Sequence, residues 1–574
     1  MIHREGILHI PLSQYAYAPA EDTLTIRLRA AKDNLERCLL YYADRAWPAP
    51  DPIPFTGPVE MAVTASDDLF EYYEITLKPG LSRVCYYFEL AAEGETAIYC
   101  ADLFMREKPG ARSEFYQYPF IRREELSKVP EWFQNAVVYN IFPDSFASGK
   151  GFLSGKGCEI KLPNGLRLRT KLGGTLNGIT ENLDYIHSMG FNTLYLNPIF
   201  TAVDYHKYDL TDYYHIDPCF GTDNDFARLV DTAHAKQMRV IVDGVFNHCG
   251  KHFFAFEDVV KNGEASEYAG WFYDLEYPVK VPGREGEKPA YSCFAYEPKM
   301  PKLNTSNPAV RDYFMEVCRH WTRNYRIDGW RLDVANEVDR EFWRAFRRTA
   351  LAENPECVLI AEIWESAESW LQGDMFHSTM NYDFRKHCRD FFALGHIDAA
   401  GFNARCTQMR MRYPEGILHG QLNLLNSHDV SRFLTLCGGD IRRLKLAVLF
   451  LAVFPGVPSV FYGDELGIQG TEEPQYRQSM PWGGGADMVD FFAKAMALRG
   501  HPAVTGGGYE TITAKTGEPV YVFRRVHDAG CVTIALNASQ NRHVAEGLPH
   551  TAPQLAGGLE KGCLDGLGYA VWVE

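Results

Sequence analysis

From residue 131 to residue 502 the chain repeats one pattern, a short apolar run followed by a stretch with helical spacing. "VVYNIF" precedes "ITENLDYIHSMG", and "FNTLYLNPIF" precedes "NDFARLVDTAHAKQ". "MRVIVDGVF" leads, after a long insert, to "AVRDYFMEVCRHWTRNY". "GWRLDV" precedes "REFWRAFRRTALA", and "CVLIAEIW" follows. A weaker run, "TMNYDF", precedes a helix from about Arg385. "QLNLLNSHD" precedes "IRRLKLAVLFLAV", and "SVFYGDE" precedes "MVDFFAKAMALRG". Short apolar runs alternating with helical patterns are the signature of parallel strands joined by crossover helices. Eight such units predict an α/β fold, a closed (β/α)8 TIM barrel. A doubly wound open sheet is the competing architecture, but no G-x-G-x-x-G follows any of the strands.

The barrel has company. The insert after the third strand, about residues 250–307, is too long for a plain connection and is aromatic throughout, so it reads as a subdomain beside the active face. Residues 1–125 show period-two alternation. Leu24, Ile26 and Leu28 share one side of their strand, as do Tyr73, Ile75 and Leu77, and Val84, Tyr86, Phe88 and Leu90. That pattern predicts an N-terminal β-sandwich. Residues 503–574 ("PVYVFRRV", "CVTIALNAS", "YAVWVE") predict a small C-terminal β domain.

A formal net charge of -16 argues against nucleic acid or an anionic membrane as partner. No run of ~18 apolar residues suggests a membrane span. The first residues carry no basic segment followed by a long apolar one, and the 14 Cys form no C-x-x-C. Both features predict reduced thiols and a cytoplasmic location. Cys249 lies near His248 and His252, but the spacing fits no zinc pattern. No metal and no cofactor is expected.

Active sites of such barrels lie at the C-terminal ends of the strands. The third strand ends in Asp243, the fourth in Asp333, the fifth in Glu362, the seventh in Asp429 and the eighth in Asp464 and Glu465. Acids recurring at the same end of apolar strands point to a functional acidic site. In "GWRLDVANE", Arg331 and Asp333 are two apart and share a face of the strand. That is either a structural ion pair or a way to hold a nucleophilic carboxylate ionised. Clustered carboxylates suit a Mg²⁺ or Ca²⁺ site or glycoside hydrolysis. His248, His428, Arg331 and the local wealth of Tyr and Trp favour the sugar reading.

On these residues the chain closely resembles the α-amylase family, glycoside hydrolase family 13. "DGVFNH", "GWRLDVANE", "LIAEIW" and "LLNSHD" look like its four signature regions, in order and on the matching strands. "MPKLN" looks like its fifth region in the form used by cyclomaltodextrinases, neopullulanases and maltogenic amylases. "HKYDLTDYYHIDPCFGT" and "FPGVPSVFYGDE" also match. The resemblance implies Asp333 as nucleophile, Glu362 as acid/base and Asp429 as the third carboxylate. Arg331, His248 and His428 would contact the sugar at the cleavage point, and Tyr208 would stack on it. Asp243 and Asn247 would support their neighbours. Tyr208 as a packed aromatic of the barrel mouth and His248 as a core histidine are the bland alternatives. Glu337 would line the leaving-group side or serve an exposed structural role.

The chain departs from the family pattern in three places. Glu365 stands where the subgroup commonly has His. "ASGKGFLSGKG", with Lys150, lacks the ligands that hold Ca²⁺ in some relatives. "GTEEPQYRQSMPW" keeps Arg477 but has Glu472 and Glu473 where Asp is usual. The expected activity is retaining cleavage of α-1,4-glucosidic bonds, with α-1,6 cleavage open, in cyclomaltodextrins, maltooligosaccharides or pullulan. An α-glucan transglycosylase and an inactive sugar-binding protein are the alternatives. The subgroup also implies a homodimer in which residues 1–125 cover the barrel mouth of a second copy. The tyrosine-rich strands "YYEITL" and "VCYYFEL" are expected to supply an aromatic face for that contact.

Overall fold

A computed structural model describes residues 1–126, 128–149, 153, 155–283 and 287–574. Eight parallel strands close a barrel: β1 Val138–Ile141, β2 Thr193–Leu196, β3 Arg239–Gly244, β4 Gly329–Leu332, β5 Val358–Ala361, β6 Ser378–Asn381, β7 Leu422–Leu424 and β8 Val457–Phe461. β8 pairs with β1 to close the ring. All eight runs expected from the sequence are present. Their residues are buried on both faces, except Arg239, the first residue of β3, so the runs are apolar rather than alternating. Gly329 opens β4 because nothing larger fits. A Cβ there would lie 2.4 Å from Val358 Cγ1 and 2.8 Å from the Val358 carbonyl.

The N-terminal domain is a sandwich. One sheet orders Ala16–Ala20, Thr23–Ala31, Phe70–Leu77 and Ala62–Ser66. The other is built on Arg37–Asp44 and Val84–Ala92. Leu24, Ile26 and Leu28 meet Leu40, Tyr86, Phe88 and Leu90 in the core between them. The predicted aromatic outer face is not there. Tyr72, Tyr73, Tyr86 and Tyr87 are all buried. Tyr87 stacks on Tyr41, with ring centroids 4.8 Å apart, under Phe55 and Phe115. Both faces of these strands are covered, so alternation alone could not tell which tyrosines reach solvent.

The insert packs Phe256, Phe272 and Tyr291 into the barrel core and ends at Asn307, which caps the helix Pro308–Arg319. The C-terminal sheet orders Gly508–Ala514, Val520–His527, Gly530–Asn537, Cys563–Val573 and His543–Val544. Arg525 is fully buried and ties this sheet to the barrel by donating to the Val453 carbonyl at 2.7 Å.

Candidate active site

A cavity of about 620 Å³ lies at the C-terminal ends of the strands, lined by Tyr208, His248, Asp333, Glu362, His428 and Asp429 among others. Its floor is one arginine. Arg331 points inward from β4 and has no exposed surface. Its Nη1 donates to Asp243 Oδ1 at 2.8 Å and to Asp333 Oδ1 at 2.7 Å. Its Nη2 lies 2.7 Å from Glu362 Oε1, an ion-pair contact that lacks the direction of a hydrogen bond. The i, i+2 relation of Arg331 and Asp333 therefore does what the sequence suggested, and it gathers two further carboxylates.

Three carboxylates around one guanidinium leave surplus negative charge in a nearly dry site. Burial pushes the Asp333 carboxyl well above its ordinary range. Arg331 opposes the shift, while the charges of Glu362 and Asp243 reinforce it. Burial thus works against ionisation of Asp333, and the Arg331 guanidinium is what favours its charged form.

Local backbone sets the pair. After β4 the chain turns through Val334 at φ 44°, a left-handed conformation that a β-branched residue rarely adopts. The turn aims the Val334 N–H at Glu362 Oε2, at 3.0 Å. Such strain is found where surrounding structure imposes it, often at active sites. Trp364 Nε1 donates to Glu362 Oε1 at 3.3 Å, and its ring stacks on Tyr382 at 3.9 Å.

Asp429 stands on the other wall. Asn197 Nδ2 lies 2.9 Å from His428 Nδ1, and His428 Nε2 lies 2.9 Å from Asp429 Oδ2 and 2.5 Å from the Tyr208 hydroxyl. Arg477 Nη2 donates to Asp429 Oδ1 at 3.3 Å, and its Nε donates to the His428 carbonyl at 2.7 Å. Burial opposes ionisation of Asp429, but His428, Arg477 and Arg331 together hold its carboxyl below the usual range. Tyr208 donates to Asp243 at 3.0 Å, and its ring runs nearly parallel to that of His428. Asp243 also accepts from Tyr195 at 2.8 Å. It has no exposed surface and serves its neighbours rather than the cavity.

His248 stacks on Phe294, with centroids 4.9 Å apart. Burial lowers its pKa to about 3, so the ring is neutral. Its Nε2 is buried with no hydrogen-bond partner among the described residues, although the ring lines the cavity. Asn247 accepts from Lys302, which also bridges to Glu337 Oε2 at 2.8 Å. Glu337 thus sits at the cavity rim, half-exposed and paired. Glu365 accepts from Asn336 at 3.0 Å, and Glu473 pairs with Arg477 at 3.3 Å.

Of the eleven residues expected in the site, eight line this cavity, and Arg331, Asp243 and Asn247 hold those eight from behind. The two acids after β8 do not line it. Asp464 is held by Arg432 and Asn426, and Glu465 accepts from Tyr139 and Tyr185, so both are buried anchors. Asn197, Lys302 and Trp364 were not singled out. Asn197 ends β2 in "LYLNPIF", where the strand-end argument used for the acids applies equally.

Of potential metal ligands, the described residues bring together Asp204, His206 and Asp209. Arg169 and Lys299 already lie on Asp204, and Asp209 accepts from the Asp204 amide. Burial and the Asp204 charge raise Asp209 to about 7, a cost of ionisation that a cation there would have to offset. Lys150 and the centre of the loop read as lacking Ca²⁺ ligands lie outside the described residues.

Comparison with known proteins places this geometry. Residues 140–494 match the model of the alpha amylase catalytic domain, and residues 1–122 match the alpha amylase N-terminal ig-like domain. The chain is 39% identical to neopullulanase 2 of Thermoactinomyces vulgaris, over 98% of this chain and 95% of that protein. It is 40% identical to a cyclomaltodextrinase of Geobacillus thermopakistaniensis, over 84% and 81%. A solved cyclomaltodextrinase superposes with a TM-score of 0.90 at 33% identity, covering both chains entirely.

Proposed function

Because the chain belongs to the α-amylase family, we propose that it is a retaining glycosidase that cleaves α-1,4-glucosidic bonds in cyclomaltodextrins, maltooligosaccharides or pullulan. The observation that carries this reading is the single guanidinium of Arg331 reaching both Asp333 and Glu362 at 2.7 Å. Two carboxyls gathered on one guanidinium are the apparatus of a retaining mechanism. In the first step Asp333 attacks the anomeric carbon. Glu362, acting as the acid, gives its proton to the leaving glycosidic oxygen, and a glycosyl ester forms on Asp333. In the second step Glu362 takes a proton from water, the oxygen of that water attacks the same carbon, and Asp333 leaves. Two inversions give retention.

Asp429 stays ionised beside His428 and faces the positive charge that develops on the sugar. His248 Nε2 and His428 offer hydroxyl contacts, and Tyr208 supplies an apolar ring face. Glu337, Glu365 and Glu473 shape the rims. Asp333→Ala and Glu362→Gln should each remove nearly all turnover with the fold intact. NMR of the first product from maltotriose should show the α-anomer, and a fresh β-anomer would overturn the reading. EDTA should leave the rate unchanged, and a Ca²⁺-reversible loss would contradict the charge-paired state of the Asp204 cluster.

We read the chain as a cytoplasmic homodimer in which the N-terminal domain of one copy narrows the cleft of the other. That contact would cover apolar side chains the single chain leaves exposed, Trp47, Leu69 and Leu103. Fourteen free cysteines support a reducing compartment.

A further inference from the structure

Away from the catalytic pocket, a second cavity of about 390 Å³ opens where the three domains meet. One wall is the helix Ala399–Met411, which presents Asn403, Thr407 and Arg410. These positions are four and three residues apart and so share one helix face. The other walls are Ala62–Ser66 of the N-terminal domain and Gly508–Ala514 of the C-terminal sheet. Both are edge strands, paired on one side only, and each leaves backbone groups unpaired.

The polar groups here are donors in want of an acceptor. Arg410 is only 8% exposed. A guanidinium has five N–H donors, yet among the described residues this one makes a single side-chain hydrogen bond, to the Tyr509 carbonyl at 3.4 Å. Its Nε is buried without a partner. The guanidinium stands 4.3 Å over the Tyr509 ring, which offsets part of its desolvation. No carboxylate among the described residues is in ion-pair contact with it, and the nearby charge of Glu415 is shared with Arg27 and Arg525. Glu510, on the cavity wall, is taken by Arg524 at 2.7 Å. Nearby Arg27 is satisfied by Glu74. Asn403 Oδ1 accepts from the Thr511 and Tyr521 hydroxyls, which leaves its NH₂ group to donate. Thr407 adds a buried hydroxyl. A desolvated cation without a counter-charge is costly, and an anion brought to it removes that cost.

We propose that this three-domain junction binds a phosphate-class oxyanion, free or carried on a small metabolite, with Arg410 as its charge partner and Asn403 and Thr407 as donors. The cavity is larger than one phosphate needs and falls within the size range of small-molecule sites. A ligand there would touch all three domains and stabilise their arrangement by mass action.

The test is thermal unfolding and calorimetric titration of the full chain with inorganic phosphate and, separately, glucose 6-phosphate. Chloride balances the ionic strength, and glucose serves as blank. Expected is a saturable rise in Tm of the unmodified protein, with at least tenfold weaker binding to Arg410→Gln and a smaller loss for Thr407→Val. Maltotriose hydrolysis should be the same in both variants. A response to both ligands assigns the free ion, and a response to glucose 6-phosphate alone assigns the carried group. No saturable shift with either ligand, or an equal shift in Arg410→Gln, would overturn the site. Should Arg410→Gln fail to fold, Thr407→Val carries the same comparison.

Discussion

Arg331 is where the site is most sensitive to a single side chain. It reaches three carboxylates through two nitrogens, a task a lysine ammonium cannot match in geometry. Arg331→Lys should therefore lower kcat by about 10²–10³ without raising KM much, since orientation of reacting groups is worth that much. Arg331→Met should in addition cost about 3–5 kcal/mol of stability, because buried carboxylates lose their counter-charge. Steady-state kinetics on maltotriose and urea unfolding would check both, and a Lys variant within tenfold of the parent would refute the claim. Lys302 acts at the rim. Lys302→Met should release Glu337 and Asn247 and raise KM for oligosaccharides about threefold or more, with kcat nearly unchanged, as expected for a lost uniform-binding contact. At this scale the sequence was readable where chemistry repeats at strand ends. It was less readable for Lys302, whose partners lie 35 and 55 residues away in the chain.

The strands were legible because a buried parallel barrel demands unbroken apolar runs, and each run also had to be too short for a helix. β4 shows how tightly an element serves the site. Gly329→Ala would drive a methyl group into Val358 at 2.4 Å. The strand would have to move, carrying Arg331 two residues on. The expected result is a loss of roughly 1–3 kcal/mol, with a fall in kcat larger than unfolding explains. Circular dichroism melts read beside single-turnover rates would show it, and normal rates in a destabilised variant would uncouple the strand from the site. Other elements were hidden from the sequence. The helices after β3 and β6 end in wide turns, His320–Asn324 and Arg389–Ala393, where the hydrogen bonds reach one residue further than in an α-helix. No residue type announces such a turn. The acids after β8 misled for a related reason. Their sequence position matches Asp333 and Glu362, but a short helical turn at Asp464–Leu466 folds them back onto Arg432 and Tyr139.

For the whole molecule, buried ionisable groups set a pH optimum of stability that is separate from the optimum of catalysis. Burial lowers His9, His206 and His387 to about 4, His248 and His419 to about 3, and His377 well below its usual value. An unfolded histidine titrates near 6.5. Between about pH 4 and 6.5 the unfolded chain therefore takes up protons at these six sites that the folded chain refuses. Stability present above pH 6.5 is lost as the pH falls. Carboxyls raised by burial act the other way. Asp209 and Glu465, each raised to about 7, stay protonated in the folded chain where the unfolded chain has ionised, and burial raises Glu415 and Asp464 in the same direction. The lowered histidines, His320 among them, outnumber the raised carboxyls, so unfolding takes up protons on balance over this range. Above pH 6.5 the histidine contribution is complete and only the carboxyl loss remains, so stability should decline gently towards pH 8. The Tm should peak near pH 6.5, fall steeply to pH 5 and fall shallowly to pH 8. Catalysis needs Asp333 ionised and Glu362 protonated, giving a bell in kcat/KM whose limbs need not coincide with the Tm curve. Scanning calorimetry across that range in buffers of low ionisation enthalpy would decide it. A Tm that rises continuously from pH 6.5 to 8, or stays level down to pH 5, would show that these histidines are not held neutral by the fold.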